Sequence, residues 1–196
     1  MIRSRIVTKI GHLTHNQVVA GSSPAGPSTL TSHSFVSFDG KAIRGAIINM
    51  NSNDGLEWLL NEIIDGNPNV IHYMNNANYL QYFDYKTNDL PESLHPDNIE
   101  NDLDNQALNR YIYRGSVFSP GIIASARDFG NVAAGIVAGR TGMPIIARGV
   151  FDGKELIDTG TLEPAVSRYA QNIGLNMGMD LYLLDVAKKI KYGPKI

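Results

Sequence analysis

The chain contains no cysteine and few histidines, and both scarcities narrow the chemistry it can perform. Without a cysteine among its 196 residues, it has no disulfide, no thiolate ligand for zinc and no cysteine nucleophile. Beyond residue 32 the histidines are His33, His72 and His95, and none of them falls within the motifs described below. Histidine is the side chain that exchanges protons most readily near neutral pH. The motifs must therefore act through carboxylates, amides, lysine and arginine.

Long apolar runs and an excess of positive charge are also missing. The longest apolar candidate, 132–137, is far shorter than the roughly 20 residues that span a bilayer, and 10–20 is too polar for a signal peptide. A net charge of −2 gives no general attraction to phosphate, so nucleic-acid binding would depend on local basic residues. Neither a His-Glu-x-x-His pattern nor a phosphate-binding glycine pattern is present. We therefore predict no membrane span, no metal ion and no cofactor.

Residues 1–32 do not resemble part of a folded domain. The stretch 14–27 has no hydrophobic period and is rich in glycine, serine and proline. Gly21–Pro24 corresponds to the translated T-arm consensus GGTTCGANTCC of bacterial transfer-RNA genes, and Thr14–Asn16 matches a translated anticodon loop. We therefore expect residues 1–32 to be a translated tRNA-gene segment, with a disordered leader as the alternative, and residues 33–196 to form one domain.

Hydrophobic spacing predicts a helix-rich α+β fold, organised as a single compact domain with short β-hairpins. A hydrophobic content of 43% is ordinary for a globular protein of this length. Apolar residues recur at helical spacing in four segments, which are 56–64, 77–83, 129–140 and 164–179, the last extending toward 189. Asp-Gly pairs at 39–40 and 152–153 are typical of two-residue hairpin turns, and 111–118 is predicted to be extended.

A polar run from Arg127 to Asn131 precedes a face of small residues. Asp128 stands where the predicted helix begins, so one interpretation makes it the helix N-cap. The other makes Asp128 and Asn131 a site, with the carboxylate exchanging protons or binding a ligand and the amide orienting a substrate. Gly135 and Gly139 each cost a helix about 1 kcal/mol relative to alanine. Their presence predicts close approach by another helix or, as the alternative, by a substrate.

Two further segments carry candidate site residues. Asp84 and Lys86 are two residues apart, so in an extended segment both would face one pocket, where Lys86 could bind an anionic group. A solvated surface ion pair is the alternative. Glu163, followed by proline, is typical of a helix start, whereas Ser167 and Gln171 are four residues apart and would share one helix face.

Together, the Phe-Asp-Tyr-Lys run ending at Lys86, the Arg-Asp-Phe-Gly-Asn run ending at Asn131 and the segment from Glu163 resemble the bacterial toxin 44 family, or polymorphic toxin type 44. The resemblance covers about the last two thirds of the chain. It implies the C-terminal effector domain of a bacterial polymorphic toxin, a predicted ribonuclease that is secreted or delivered into a target bacterium and neutralised by an immunity protein. The implied catalytic residues are Asp84, Lys86, Asp128, Asn131 and Glu163. The implied substrate-binding residues are Arg127, Arg140, Ser167 and Gln171.

Three functions remain open on the residues themselves. If the substrate is RNA, Lys86 and the arginines would hold the phosphate while Asp128 acts as a base or a metal ligand. The acidic motifs also suit a peptidoglycan glycoside hydrolase, in which Asp128 or Glu163 would be the protonated acid and the other carboxylate would activate water or stabilise the sugar cation. The third possibility is a non-enzymatic interaction module or an inactive remnant.

Overall fold

Helices dominate the described part of the chain, and its strands form one small sheet. The computed structural model describes residues 48–49, 51–119, 122–160 and 165–193. In chain order these form β1 (Ile48–Asn49), α1 (Asp54–Trp58, continued as a π-helix over Leu59–Asp65), α2 (Val70–Asn76), α3 (Asp102–Ile112), β2 (Gly115–Ser119), β3 (Ile122–Ser125), α4 (Ala126–Gly139), α5 (Pro144–Thr159) and α6 (Ala165–Tyr192). Two 3-10 turns, Glu92–Leu94 and Pro96–Asn98, precede α3. The predicted helix-rich α+β class is confirmed.

The sheet has the strand order β1-β2-β3. β2 and β3 pair in antiparallel fashion with Val117 opposite Ile123, and β1 joins β2 in parallel through Ile48 opposite Gly115. A short β-hairpin of the predicted kind is therefore present, although the Asp-Gly pairs do not mark it. The hairpin leads directly into α4, because Ser125 is the last residue of β3 and the next residue is helical.

Phe129 on α4 lies at the centre of the core. Its side chain is fully buried, and its ring centroid lies 5.8 Å from that of Tyr85 and 5.6 Å from that of Phe118. A Cβ atom added at Gly55 would overlap the Phe129 ring, so the backbone of α1 rests directly on it. Burial of a large apolar side chain contributes about 1.5–3 kcal/mol, so this cluster fixes α1, β2 and the segment around Tyr85 against α4.

Glycines on α4 and α6 bring the two helix backbones into contact. A Cβ atom at Gly135 would lie 2.7 Å from the backbone nitrogen of Leu175, and one at Gly178 would lie 2.9 Å from the Cα atom of Gly139. A Cβ atom at Gly174 would likewise strike the backbone of α4. The glycines therefore interlock reciprocally, and the prediction that another helix packs on this face of α4 is confirmed.

The predicted hairpin turn at 152–153 is wrong, because these residues lie inside α5. Pro144 occupies the first turn of α5, where its missing N–H is no loss, and Gly160 ends the helix with a left-handed φ of 70°. Ala147 and Phe151, four residues apart, both pack toward the core. An Asp-Gly pair favours a hairpin only between segments of alternating polarity, and the helical spacing of the apolar residues prevails here.

The predicted helix over 77–83 is also wrong. The chain is helical directly before that segment, in α2. The side chain of Asn69 accepts a hydrogen bond from the His72 backbone nitrogen at 2.8 Å and caps the start of α2. α2 then ends at Asn76, and a series of turns follows it. Leu80 within these turns has a φ of 62°, which no helical residue adopts.

Three sequence predictions fall on residues that the structure does not describe: the leader over 1–32, the first hairpin turn at 39–40 and the candidate site residue Glu163. Within the described ranges, no helix combines the length and the apolar character that crossing a bilayer demands. α6 has 28 residues, but polar and charged side chains such as Gln171 and Asp185 interrupt it.

The glycine contact between α4 and α6 predicts a destabilising effect of added methyl groups. Gly135→Ala and Gly174→Ala should each lower the free energy of unfolding by about 1–3 kcal/mol, because the methyl group overpacks the interface. Urea denaturation followed by circular dichroism measures the effect.

Gly149→Ala on α5 is the matched control. Gly149 is exposed, and an added Cβ atom there meets nothing within 4 Å, so alanine should raise stability by up to about 1 kcal/mol. Equal stability of the Gly135→Ala and Gly149→Ala variants would contradict the backbone contact.

Candidate functional site

A serine and an aspartate fix the start of α4. Ser125 is the N-cap, and its Oγ accepts a hydrogen bond from the Asp128 backbone nitrogen at 3.1 Å. The Asp128 carboxylate accepts in return from the Ser125 backbone nitrogen at 3.0 Å and from its hydroxyl at 2.7 Å. This reciprocal pair is a capping box. Asp128 is therefore the third residue of α4 and not its N-cap, and the helix begins three residues before the predicted start.

Burial raises the pKa of Asp128, while the two hydrogen bonds from Ser125 and the charge of Arg127 act in the opposite direction. The carboxyl group is turned toward the cap and does not line the cleft described next. In this geometry Asp128 holds the first turn of α4, and so sets the direction in which the neighbouring Arg127 and Asn131 project.

A cleft of about 190 Å³ opens beside the first two turns of α4. Its walls come from α2 and the turns that follow it, from α4, from α5 and from α6. Five of the nine predicted site residues line it: Asp84, Lys86, Arg127, Asn131 and Gln171. Side chains from three separated segments of the sequence therefore meet at one place.

Asp84 is a buried carboxylate at this cleft, with 5% of the residue exposed. Its Oδ1 lies 3.5 Å from the Lys86 ammonium nitrogen, and its Oδ2 accepts a hydrogen bond from the Thr87 hydroxyl at 2.6 Å. Burial raises the pKa of Asp84, and the charge of Lys86 and the hydrogen bond from Thr87 partly oppose that shift. A carboxyl group held in this way keeps its proton to a higher pH than an exposed aspartate does.

Asp84 and Lys86 share a pocket as expected, although the segment is a turn and not a strand. Arg114, which the sequence analysis did not single out, holds the turn in place. Its guanidinium donates to the backbone oxygens of Tyr85 at 2.7 Å and Lys86 at 3.1 Å, and it lies 4.8 Å from the centroid of the Tyr85 ring. Arg114 therefore positions the backbone that carries the ion pair.

Asn131 lines the cleft, and one polar atom of its side chain has no hydrogen-bond partner among the described residues. That atom is the nitrogen Nδ2, which is buried. A buried donor in that condition costs about 1–3 kcal/mol, and such groups frequently meet a ligand or an ordered water. Because Asn131 also lines the cleft, its amide is a candidate hydrogen-bond donor to a ligand bound there.

Arg127 links the cleft to α6. One of its guanidinium nitrogens donates to the hydroxyl of Ser167 at 3.0 Å and the other to the hydroxyl of Tyr113 at 3.0 Å. Ser167 is buried and does not line the cleft. Its contribution is to orient Arg127, whereas Gln171, one helical turn further along α6, reaches the cleft itself.

Two other predicted residues do not join this cluster. Arg140 lies about 13 Å further along α4 than Asn131, at 1.5 Å per residue. It donates to the backbone oxygen of Ile64 at 2.7 Å and pairs with Asp185 at 3.3 Å, so it ties α1, α4 and α6 together away from the cleft. Glu163 falls outside the described residues.

One wall of the cleft was not predicted from the sequence. α5 supplies Phe151, Asp152 and Lys154, and α2 supplies Tyr73. Burial and the nearby Asp84 carboxylate raise the pKa of Tyr73, whose hydroxyl donates to the backbone oxygen of Gly130 at 3.1 Å. Helical spacing around Phe151 was the signal that could have revealed this wall, but the Asp-Gly pair concealed it.

The ionised side chains that line the cleft give it a local charge opposite to that of the whole chain. The three cations are Lys86, Arg127 and Lys154, and the two anions are Asp84 and Asp152. The formal sum is +1, against −2 for the whole chain. Within the described ranges no three histidine, aspartate or glutamate side chains converge as metal ligands would.

The buried state of Asp84 predicts a pH-dependent stability. Because its pKa is raised above the ordinary 3.8, its contribution to stability is fully present below that value and is lost as pH rises through the folded-state pKa. Asp84→Asn removes this titration, so the stability of the variant relative to wild type should increase from pH 3.5 to pH 7. Urea denaturation across that range measures the difference. A difference that stays constant or falls with pH would contradict the raised pKa.

Family models, curated proteins and solved structures were each compared with this chain, and none of the three comparisons gave a match. The likeness to bacterial toxin 44 therefore stays a prediction, and functional inference depends on the geometry of the cleft.

Proposed function

We propose that this chain is the effector domain of a bacterial polymorphic toxin and that it cleaves RNA in the cleft beside α4. The observation that carries the proposal is the buried Asp84 carboxyl, paired with Lys86 at 3.5 Å in an open cleft. The segments that support a resemblance to bacterial toxin 44 also converge there. Asp84 and Lys86 come from the first of them, Arg127 and Asn131 from the second, and Gln171 from the third.

Substrate binding falls to the cations and amides of the cleft. A phosphodiester carries one negative charge, and Lys86 and Arg127 supply positive charge in a chain whose overall charge is negative. Each terminal nitrogen of Arg127 already donates one hydrogen bond to a hydroxyl group, and its charge together with its second N–H groups binds the phosphate. The unsatisfied Nδ2 of Asn131 donates to a further phosphate or ribose oxygen.

Cleavage uses the ribose 2′-hydroxyl as the nucleophile. Asp84 takes the proton from that hydroxyl. At the same time the 2′-oxygen forms a bond to phosphorus, and the bond from phosphorus to the 5′-oxygen breaks. Lys86 gives a proton to the departing 5′-oxygen. The proton on Asp84 then passes to Lys86, which restores the ion pair and leaves a 2′,3′-cyclic phosphate and a 5′-hydroxyl. A raised pKa suits Asp84 to this task, since a base is most effective when its pKa lies near the working pH.

The charge that builds on the phosphate oxygens in the transition state needs fixed donors. Arg127 is oriented by Ser167 and Tyr113, and the direction of Asn131 is set by the capped first turn of α4. Donors held in place before the reaction need no reorganisation while it proceeds. In this mechanism Asp128 and Ser167 are positioning residues, and Arg140 contributes to the fold.

A second candidate function is hydrolysis of a peptidoglycan glycosidic bond, and the presence of Asp152 favours it. Two carboxylates line the cleft, Asp84 and Asp152, and glycosidases use one protonated and one ionised carboxyl group. The raised pKa of Asp84 would make it the acid. This pair takes the place of Asp128 and Glu163 in the hydrolase considered from the sequence.

The biological setting follows from the resemblance. The effector is delivered into a competing bacterium by a secreted carrier, and the producing cell protects itself with an immunity protein. An interaction module without catalysis is the remaining alternative, and it predicts no growth defect that depends on Asp84.

Asp84→Asn and Lys86→Ala should remove toxicity and RNA cleavage. The full chain is expressed in a bacterial host, once in the cytoplasm and once behind an export signal, and total RNA and lysis are recorded. We expect growth arrest with fragmented RNA from the cytoplasmic form, and a decrease of about 10²- to 10⁴-fold in cleavage rate for Asp84→Asn, typical for loss of an acid–base group.

Lys188→Ala is the matched control for Lys86→Ala, since Lys188 also lies 3.5 Å from a carboxylate, that of Asp185, but on the exposed side of α6. It should leave toxicity unchanged. Lysis by the exported form with intact RNA would instead establish the glycosidase. Full toxicity of both the Asp84→Asn and Lys86→Ala variants would remove this cleft as the site.

A further inference from the structure

The Phe-Asp-Gly-Lys segment of α5 presents three side chains to the cleft. Phe151, Asp152 and Lys154 all line it, whereas the sequence analysis placed a hairpin turn at 152–153. A Cβ atom at Gly153 would meet nothing within 4 Å, so that position is not shaped by packing. The segment therefore faces the cleft through its three larger side chains and not through Gly153.

Phe151 is the aromatic ring best placed to receive a ligand in this cleft. Tyr73 and Phe83 also line it, but they are 3% and 4% exposed and stack on each other with centroids 5.3 Å apart. The Phe151 ring packs against Tyr73 with its centroid 6.1 Å away and the planes at 81°, and it stays partly exposed. One aromatic ring therefore remains accessible on a firm aromatic support.

Polar groups surround that ring. The Lys154 ammonium donates to the side-chain oxygen of Asn78 at 3.1 Å, and the Asp152 carboxylate lies in the same wall. A flat ring beside hydrogen-bonding groups is the arrangement by which proteins bind unstacked bases of single-stranded RNA, through stacking and contacts to the base edges.

We infer that Phe151, with Asp152 and Lys154 beside it, forms a nucleobase-binding subsite next to the scissile phosphate. The base stacks on the Phe151 ring, Asp152 accepts a hydrogen bond from an N–H group on the base edge, and Lys154 binds the neighbouring phosphate. The inference rests on the proposed function. It adds that the substrate is single-stranded, because a cleft of about 190 Å³ admits one flat unit and a paired base would have to leave its helix first.

The test measures binding and cleavage separately. An all-deoxy oligonucleotide lacks the attacking hydroxyl and is bound without being cleaved, and fluorescence anisotropy gives its dissociation constant. Phe151→Leu should weaken binding about 5- to 150-fold, the effect of losing one stacked base, while keeping apolar contact with Tyr73. Phe151→Tyr should bind as wild type does. Ile157→Ala, at an 85% exposed position of the same helix, is the control and should change nothing.

A second arm varies the oligonucleotide, so that the loss of one base contact is measured on the wild-type protein, where the folding of a variant plays no part. The probe is a series of oligonucleotides, each with one base removed. The wild-type protein should bind one member of this series as weakly as Phe151→Leu binds the intact oligonucleotide. That member should lose no further affinity in Phe151→Leu, because both changes remove the same contact. A double-stranded RNA of the same sequence should resist cleavage.

The outcomes distinguish a failure of the inference from a failure of the function on which it rests. RNA cleavage by wild type with undiminished binding by Phe151→Leu would overturn the subsite and leave the ribonuclease intact. Equal affinity of wild type for every abasic member and for the intact oligonucleotide would do the same. Failure of wild type to bind or cleave any RNA would overturn both, and binding of peptidoglycan fragments that depends on Phe151 would show that the ring stacks a sugar.

Discussion

The backbone contact between α4 and α6 is the constraint on which the rest of the structure depends. Four glycines permit it, two on each helix, and a side chain at any of them would separate the helices. Each costs its helix about 1 kcal/mol in propensity, so the dispersion gained by close backbone packing must offset about 4 kcal/mol. In exchange, α6 lies near enough for Ser167 to orient Arg127 and for Gln171 to reach the cleft. The helix packing and the site therefore have one origin.

The cleft holds a carboxyl group that would be more stable in water, and the core keeps it there. Phe83 and Tyr85, on either side of Asp84, are 4% and 7% exposed. Phe83 stacks on Tyr73, and Tyr85 packs against Phe129. Moving Asp84 outward would expose both aromatic side chains, at a cost of about 1.5–3 kcal/mol for each. Because Phe83 and Tyr85 are buried, Asp84 between them is buried as well, and this burial raises the pKa of its carboxyl group. Thr87 and Lys86 limit the cost by supplying a hydrogen bond and a charge.

Sequence reasoning succeeded where the periodic signal was long and failed where a local signal competed with packing. Helical spacing located α4 and α6, and the paired glycines of α4 predicted close packing by another helix without identifying which one. The turns after α2 could not be predicted, because leucine gives no indication in the sequence that Leu80 adopts a left-handed φ. α5 was mistaken for a hairpin on a two-residue signal, and Phe151, Asp152 and Lys154 were lost with it. The capping box was visible as a serine three residues before Asp128, but the apolar stripe drew attention to a later helix start. Asp84 and Asn131 were grouped from the sequence, and both lie at one cleft. Arg140 was assigned to the same site, but most of α4 separates it from the cleft.

α5 differs from the other helices around the cleft in how it is attached. Left-handed glycines flank it at Gly142 and Gly160, its closest packing is against α4, and Ile145 and Ile157 point away from the protein at 86% and 85% exposure. Substitutions at Asp152 or Lys154 can therefore alter one wall of the cleft without adding atoms to the glycine contact between α4 and α6, whereas Arg148 ties α5 to α6 by donating to Asn172 at 2.7 Å. The glycine contact that holds α4 to α6 and the α5 wall of the cleft therefore depend on different residues of this fold.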